Sequence, residues 1–367
     1  MLQLINDIST PAILIERRIL EKNLADMQSL AGRNNVNLRV HIKTHKIPEL
    51  AQTQLKQGAV GIAVAKLGEA EIMAGAGIKD IQIANIIVGK DKIRRLVKLN
   101  RICRLSVAID LIEHARALSA AFALEKRPIN ILIKVNSGLN RCGSDSLEEI
   151  TRLLKAAERL KGLNVLGLMT HAGHAYGAGN RKEVQAIGRS EGKLLVDYAR
   201  KLQAAGYKMK VLSVGSTPTA RYCSKVKGIT ELRVGNYLFN DMTQVALGTV
   251  PVSRCALSVL ATVISVHEGN RVVIDAGSKA LALDKGAHGR EILKGYGLIV
   301  STGDHISRLS EEHGIIDTPA RKYKLGQKIR IIPNHACAVT NLFDEAYLVD
   351  DGRIIRKFKI AARGKMS

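Results

Sequence analysis

The amino-acid sequence predicts an α/β chain: a (β/α)8 TIM-type barrel followed by a β-rich second domain. Three observations carry this expectation. From Asn37 to Tyr237, short β-branched runs alternate with longer amphipathic stretches, the pattern of repeated βα units. The strand-like runs in that region number eight, the count that closes a parallel barrel. From about Val245 the pattern changes to alternating strands with Gly or Asp-Gly turns and little helix.

Taken in order, the barrel strands are "NLRVHIK", "GIAVA", "DIQIANI", "RLSVAID", "INILIKV", "LNVLGLMTH", "MKVLSVG" and "TELRVGNY". Helix-like segments such as "IPELAQTQLKQ", "GEAEIMAGAG" and "SLEEITRLLKAAERL" lie between them, several closed by Gly as helix C-termini are. The second domain is read from "ALSVLATVISVHEGNRVVIDAG", "KIRIIPNHACAVTNL" and "EAYLVDDGRIIRKFKIAARG". "TPAILIE" has strand character and precedes the first barrel strand, which leaves it free to join that domain. The expected division is a barrel over 20–244 and a β-rich domain made of 1–19 and 245–367.

Composition narrows the function classes. No apolar run approaches the roughly 20 residues that span a bilayer, and the first residues lack a secretory pattern, so a cytoplasmic protein without membrane partners is expected. Five scattered cysteines with no CxxC pair predict reduced thiols rather than a disulfide framework. The formal charge of +23 is compatible with nucleic acid, but the Lys and Arg are dispersed along helix-like segments. Aromatic residues are 3% with no Trp, which leaves few platforms for stacking bases. No specific nucleic-acid partner is expected; a small anionic metabolite suits such a surface better.

In a barrel of this kind chemistry sits at the C-terminal ends of the strands. The run "HIKTHK" places two histidines and two lysines at the end of the first barrel strand. Strand alternation puts Arg39, His41 and Lys43 on one face, opposite Leu38, Val40 and Ile42. A lysine crowded by cations and drawn out of water becomes a better nucleophile toward carbonyls, so Lys43 is the candidate nucleophile. Lys46, beyond the strand, reads as a phosphate or surface residue. The fifth strand delivers Arg141 in "NSGLNRCG", and the sixth delivers His171, His174 and Tyr176 in "MTHAGHAYG". The seventh and eighth end in "SVGSTPTA" and "RVGNY", which offer Gly215, Ser216, Thr217, Gly235 and Asn236 to a phosphate group. In the second domain His335 and Cys337 are separated by one residue, hence expected on one face of a strand. An imidazole and a thiolate suit zinc, and two ligands leave positions for water and a substrate oxygen. Asp275 is a third candidate contributor or an ordinary turn acid.

The ordered set "TPAILIE", "HIKTHK", "GLNRCG", "THAGHAYG", "GSTPT", "DAGSKAL", "LSEEHG", "PNHACAVTNL" and "AARG" resembles the D-threonine aldolase and D-serine dehydratase family over nearly the whole chain. Its members are pyridoxal phosphate (PLP) enzymes with an alanine-racemase-like fold. The resemblance implies that Lys43 bears PLP and that His335 and Cys337 bind a divalent metal: zinc by the softness of the thiolate, with manganese or magnesium as alternatives. It implies that Arg141 approaches the PLP phenolic oxygen and that His171 and Tyr176 line the cofactor and substrate, His171 with a catalytic part. Arg233 in "RVGNY" corresponds to the arginine that faces the pyridine nitrogen in racemases. The substrate implied is a small β-hydroxy-D-amino acid, and the fold implies a homodimer.

The reaction expected is dehydration to a keto acid and ammonia, as in D-serine and D-threonine dehydratases. The alternative is retro-aldol cleavage to glycine and an aldehyde. The family's aldolases tend to carry an aspartate two residues after the metal histidine and a "GGGTG" loop, where this chain has Cys337 and "GSTPT". Racemisation needs no metal, and a non-enzymatic PLP-binding barrel would lack the second domain.

Overall fold

The computed structural model describes residues 4–267, 269–287, 291–319 and 322–367. After β1 (Ala12–Glu16) and a long helix (Arg17–Arg33), eight parallel strands follow: β2 (Asn37–His41), β3 (Gly61–Val64), β4 (Asp80–Ile86), β5 (Arg104–Ile109), β6 (Ile129–Lys134), β7 (Leu163–Met169), β8 (Val211–Val214) and β9 (Glu231–Val234). They close into a barrel, with β9 returning to β2 in a register that pairs Val40 with Val234. All eight runs expected from the sequence are present.

Closure follows from the two faces of each strand. Leu38, Val40, Ile62, Ile81, Ile83, Val107, Ile131 and Ile133 are buried in the main hydrophobic core, together with Leu50, Leu96 and Leu153 of the surrounding helices. Each such side chain is worth roughly 1.5–3 kcal/mol when withdrawn from water. A separate cluster of Ala108, Leu132 and Met169 comes from alternate positions of the same strands. Near the strand starts, Arg39 holds the partly exposed Asp80 at 2.6 Å and the buried Glu231 at 2.7 Å, so the buried guanidinium is paired.

The second domain comprises β10 (Leu257–His267), β11 (Arg271–Ile274), β12 (Leu298–Ile299), β13 (Arg308–Leu309), β14 (Gly314–Asp317), β15 (Lys328–Ile332), β16 (Glu345–Asp350) and β17 (Arg353–Lys359). The sheet order is β13-β14-β11-β10-β1-β16-β17, with β15 also paired to β10 and β12 to β15. The N-terminal β1 thus lies between β10 and β16, antiparallel to the first and parallel to the second. The expected class, a (β/α)8 barrel with a β-rich domain, is the one observed.

Two local readings need correction. The strand at "NLRVHIK" stops at His41, and Ile42–Thr44 form a 3-10 turn whose Lys43 N–H points at His41 Nδ1 at 3.4 Å. Likewise β15 ends at Ile332, just before Pro333, which has no N–H to extend the ladder. His335 and Cys337 therefore do not share a strand face. His335 stands at the N-cap of a short helix, Ala336–Thr340, and Cys337 in its first turn.

Candidate active site

The end of β2, the loops after β6 to β9 and the Ala336–Thr340 helix enclose a cavity of about 350 Å³ at the C-terminal rim of the barrel. Eleven residues singled out from the sequence line it: Lys43, Arg141, His171, Tyr176, Ser216, Thr217, Arg233, Gly235, Asn236, His335 and Cys337. Gly215 lies behind the wall. Its backbone has φ +111°, in the left-handed region that favours glycine, and its carbonyl faces His171 Nδ1 at 3.2 Å.

Three other candidates lie elsewhere. Asp275 accepts hydrogen bonds from Thr10 Oγ1 at 2.5 Å and from the Thr262 N–H at 2.7 Å, so it ties the second sheet together and takes no part in the cavity. Lys46 is neither a surface nor a phosphate residue: it is buried and paired with Glu69 at 2.5 Å. His174 packs beneath Gly138 rather than in the cavity.

The loops after β8 and β9 are fastened to each other and to the barrel. Glu191, on the helix Arg181–Ala204, accepts the N–H groups of Ala172 and Gly215, each at 3.0 Å. Thr217 Oγ1 accepts the Tyr237 N–H at 3.1 Å. A side chain at Gly235 would begin 2.5 Å from the His41 carbonyl, so only glycine lets β9 and β2 approach this closely. Asn236 donates to Asp241 at 2.7 Å, while its buried Oδ1 has no hydrogen-bond partner among the described residues.

No carboxylate lines the cavity among the described residues, whereas Lys43, Lys134, Arg141 and Arg233 all do. Such a wall suits an anionic, phosphorylated cofactor, since Ser216, Thr217 and Asn236 line it along with Lys43, whose amine can attack a carbonyl carbon. Arg233 is buried and donates to Ser213 Oγ and the Thr170 carbonyl. Burial lowers its pKa, against the charges of Glu231 and Glu191. His41 is pushed well below the usual imidazole range by burial, then by Lys43 and Arg233, and so stays neutral.

The donor set also fits a soft divalent cation. Burial opposes ionisation of the Cys337 thiol, yet the hydrogen bond and charge of His335, and the charge of Lys43, bring it below its ordinary value. Among the described residues no group of three or more His, Cys, Asp or Glu could hold a metal, so a cation held by His335 and Cys337 would have positions left for water or a substrate oxygen. Burial raises the Tyr176 phenol, which therefore stays protonated.

Sequence reading missed Lys134, the last residue of β6. It is 5% exposed and lines the cavity, and among the described residues its ammonium makes no hydrogen bond or salt bridge, though its charge acts on Asp110. The parity of "INILIK" was the available signal, since Asn130, Leu132 and Lys134 fall on one face. The loop after β6 is held by Asp110, which accepts the Gly143 N–H at 2.7 Å and so fixes the segment carrying Arg141.

A family model described as the alanine racemase N-terminal domain matches residues 15–242, and one described as a serine dehydratase domain matches residues 256–349. The chain is 31% identical to D-serine dehydratase of Dictyostelium discoideum, over 97% of each chain. It is 32% identical to D-threonine aldolase of an Arthrobacter species, over 97% of this chain and 93% of the relative. A solved structure of a cysteine-to-alanine mutant of D-threo-3-hydroxyaspartate dehydratase, described as metal-free, superposes with a TM-score of 0.89 at 31% identity, covering 97% of this chain and 98% of that one. A histidine-to-alanine mutant of the same enzyme, two positions earlier, has also been solved.

Proposed function

The chain belongs to the D-serine dehydratase and D-threonine aldolase family of PLP-dependent lyases, and from that premise we propose that it dehydrates β-hydroxy-D-amino acids to a keto acid and ammonia. The observation that carries the choice is the pairing of His335 and Cys337 in one cavity with Lys43, the thiol already drawn toward thiolate. The two mutants of the hydroxyaspartate dehydratase alter a histidine and a cysteine at the same spacing, and the cysteine mutant is described in a metal-free form.

In this reading Lys43 holds PLP, Ser216, Thr217, Gly235 and Asn236 receive its phosphate, Arg141 faces its phenolic side, and Arg233 its ring nitrogen. When bound, PLP would supply an electron sink for the pair released at Cα, and a metal on His335 and Cys337, zinc by preference, would supply a Lewis acid for the β-oxygen. With PLP bound, Lys43 Nζ would be the base that takes the Cα proton. Tyr176 offers its phenolic hydrogen as a donor at the cavity wall. His171, turned by the Gly215 carbonyl, exchanges a proton beside the substrate. Hydroxide leaves Cβ, which with the Cα proton is the loss of one water, and the enamine released tautomerises to an imine that one water hydrolyses to the keto acid and ammonia. A homodimer in the cytoplasm completes the proposal; among the described residues no helix is long and apolar enough to cross a membrane.

The test is to incubate the protein with PLP and zinc, offer D-serine and D-threonine, and identify the products. Keto acid with ammonia is expected. Glycine with an aldehyde would establish the aldolase reading instead.

A further inference from the structure

His335 has extended backbone, with φ −141° and ψ 98°, at the start of the Ala336–Thr340 helix, yet its side chain makes no capping bond. That work is done by Asp241, whose Oδ2 accepts the Ala336 N–H at 2.9 Å. The imidazole is thereby left for another use. Its Nδ1 lies 3.3 Å from Asp284 Oδ1. Asp284 follows the short helix Ser278–Leu281, and its own carbonyl accepts from the side chain of Asn334, the residue before the histidine, at 2.9 Å. Asn334 also donates to the Gly295 carbonyl at 2.9 Å, so the backbone entering His335 is pinned to the same loop that presents the carboxylate.

Asp284 does not line the cavity and forms no three-donor cluster with His335 and Cys337. It acts on any ion there only through the histidine. A carboxylate that accepts Nδ1–H fixes the neutral tautomer with its lone pair on Nε2, stops rotation of the ring and makes Nε2 a better donor. We propose that Asp284 is the positioning residue of the metal site, holding His335 with Nε2 presented to a divalent cation in the cavity. This rests on the reading of His335 and Cys337 as metal ligands.

The experiment measures zinc affinity, not turnover, by competition with a chromophoric chelator on PLP-loaded wild type, Asp284→Ala, Asp284→Asn, His335→Ala and the Asp284→Ala/His335→Ala double variant. Asp284→Ala is expected to weaken zinc about 10- to 100-fold, the usual effect of removing such a partner. Asp284→Asn keeps an oxygen acceptor at the same reach and should lose less, while still losing measurably. In the His335→Ala background the second change should cost nothing further, because its only route to the metal is gone. Cofactor absorbance should persist in every variant. Zinc affinity within twofold of wild type in both Asp284 variants, or an equal loss with and without His335, overturns the proposal. If His335→Ala itself leaves zinc affinity unchanged, the metal-site reading falls, and this inference with it.

Discussion

Thr44 Oγ1 lies 3.1 Å from Cys337 Sγ, so the turn that carries Lys43 touches the residue proposed to hold the metal. The contact joins the barrel to the second domain and is reinforced by Thr340 Oγ1, which donates to the Thr44 carbonyl at 2.6 Å. A hydrogen bond from Thr44 to a thiolate is charge-assisted, worth about 1.5–3 kcal/mol. Thr44→Val should therefore lower kcat roughly tenfold or more while leaving cofactor absorbance intact. Steady-state kinetics beside a visible spectrum check this; unchanged kcat would show that the contact is packing alone.

Lys43 and Lys46 should fail in different ways. Lys43→Ala is expected to lose the visible absorbance of a cofactor held covalently by a lysine. Lys46→Ala should keep that absorbance but lose about 3–5 kcal/mol of stability, because it strands the carboxylate of Glu69, whose side chain is 1% exposed. Spectra and urea unfolding separate the two. A Lys46→Ala protein as stable as wild type contradicts the buried-pair account.

Removing the metal should stop turnover of β-hydroxy-D-amino acids without removing the cofactor. The Lewis-acid contribution is several kcal/mol, on the order of a thousandfold in rate. His335→Ala and Cys337→Ala should behave alike. Cys337→Asp substitutes a harder ligand, so activity should return with manganese and move toward Cα–Cβ cleavage, read as glycine among the products. Full dehydratase activity in protein shown by elemental analysis to be metal-free would sink the mechanism.

Glu191 predicts a pH effect on stability. Burial raises its carboxyl pKa, against the N–H groups of Gly215 and Ala172 and the charge of Arg233. With the folded value above the unfolded one of about 4.3, its contribution is fully present below that pH and is lost as pH rises through the raised value. Glu191→Gln keeps an oxygen for both N–H groups and cannot ionise. Its unfolding free energy at neutral pH should equal or exceed that of wild type, with a shallower fall across the window. A fall as steep as that of wild type would assign the pH dependence to other groups.

Lys134 presents to the cavity a buried ammonium that has no hydrogen bond or salt bridge among the described residues, its charge being felt by Asp110. Lys134→Met keeps the length and apolar stem while deleting the charge. If the ammonium meets an anionic group of the substrate, KM should rise about tenfold or more, kcat changing less. An unaltered KM would place Lys134 outside substrate binding.

What the sequence determined by itself is local and periodic. Eight β-branched runs with amphipathic spacers specify a closed parallel barrel, because only closure satisfies every strand edge and buries the outward faces under helices. "HIKTHK" already placed Lys43 just beyond a strand and so at the rim, although the strand stops at His41 and a 3-10 turn, not strand parity, carries the lysine. Side-chain partnership was not legible, because it depends on residues that only folding brings together. Lys46 and Glu69 are 23 positions apart, Thr44 and Cys337 lie 293 apart, and Asp284 stands 51 from His335. Nothing in "HIKTHK" tells the paired lysine from the cavity-facing one except the carboxylate that arrives from the helix Leu67–Gly75. The end of β15 was misread for a related reason. Alternation carries "KIRIIPNHAC" onward as a strand, whereas Asp241, 95 residues away, caps the backbone at Ala336 and turns it into a helix. Periodicity selects the scaffold, and the tertiary structure decides which buried charge meets which, because in a medium that excludes water each polar group must find its partner wherever the fold delivers one.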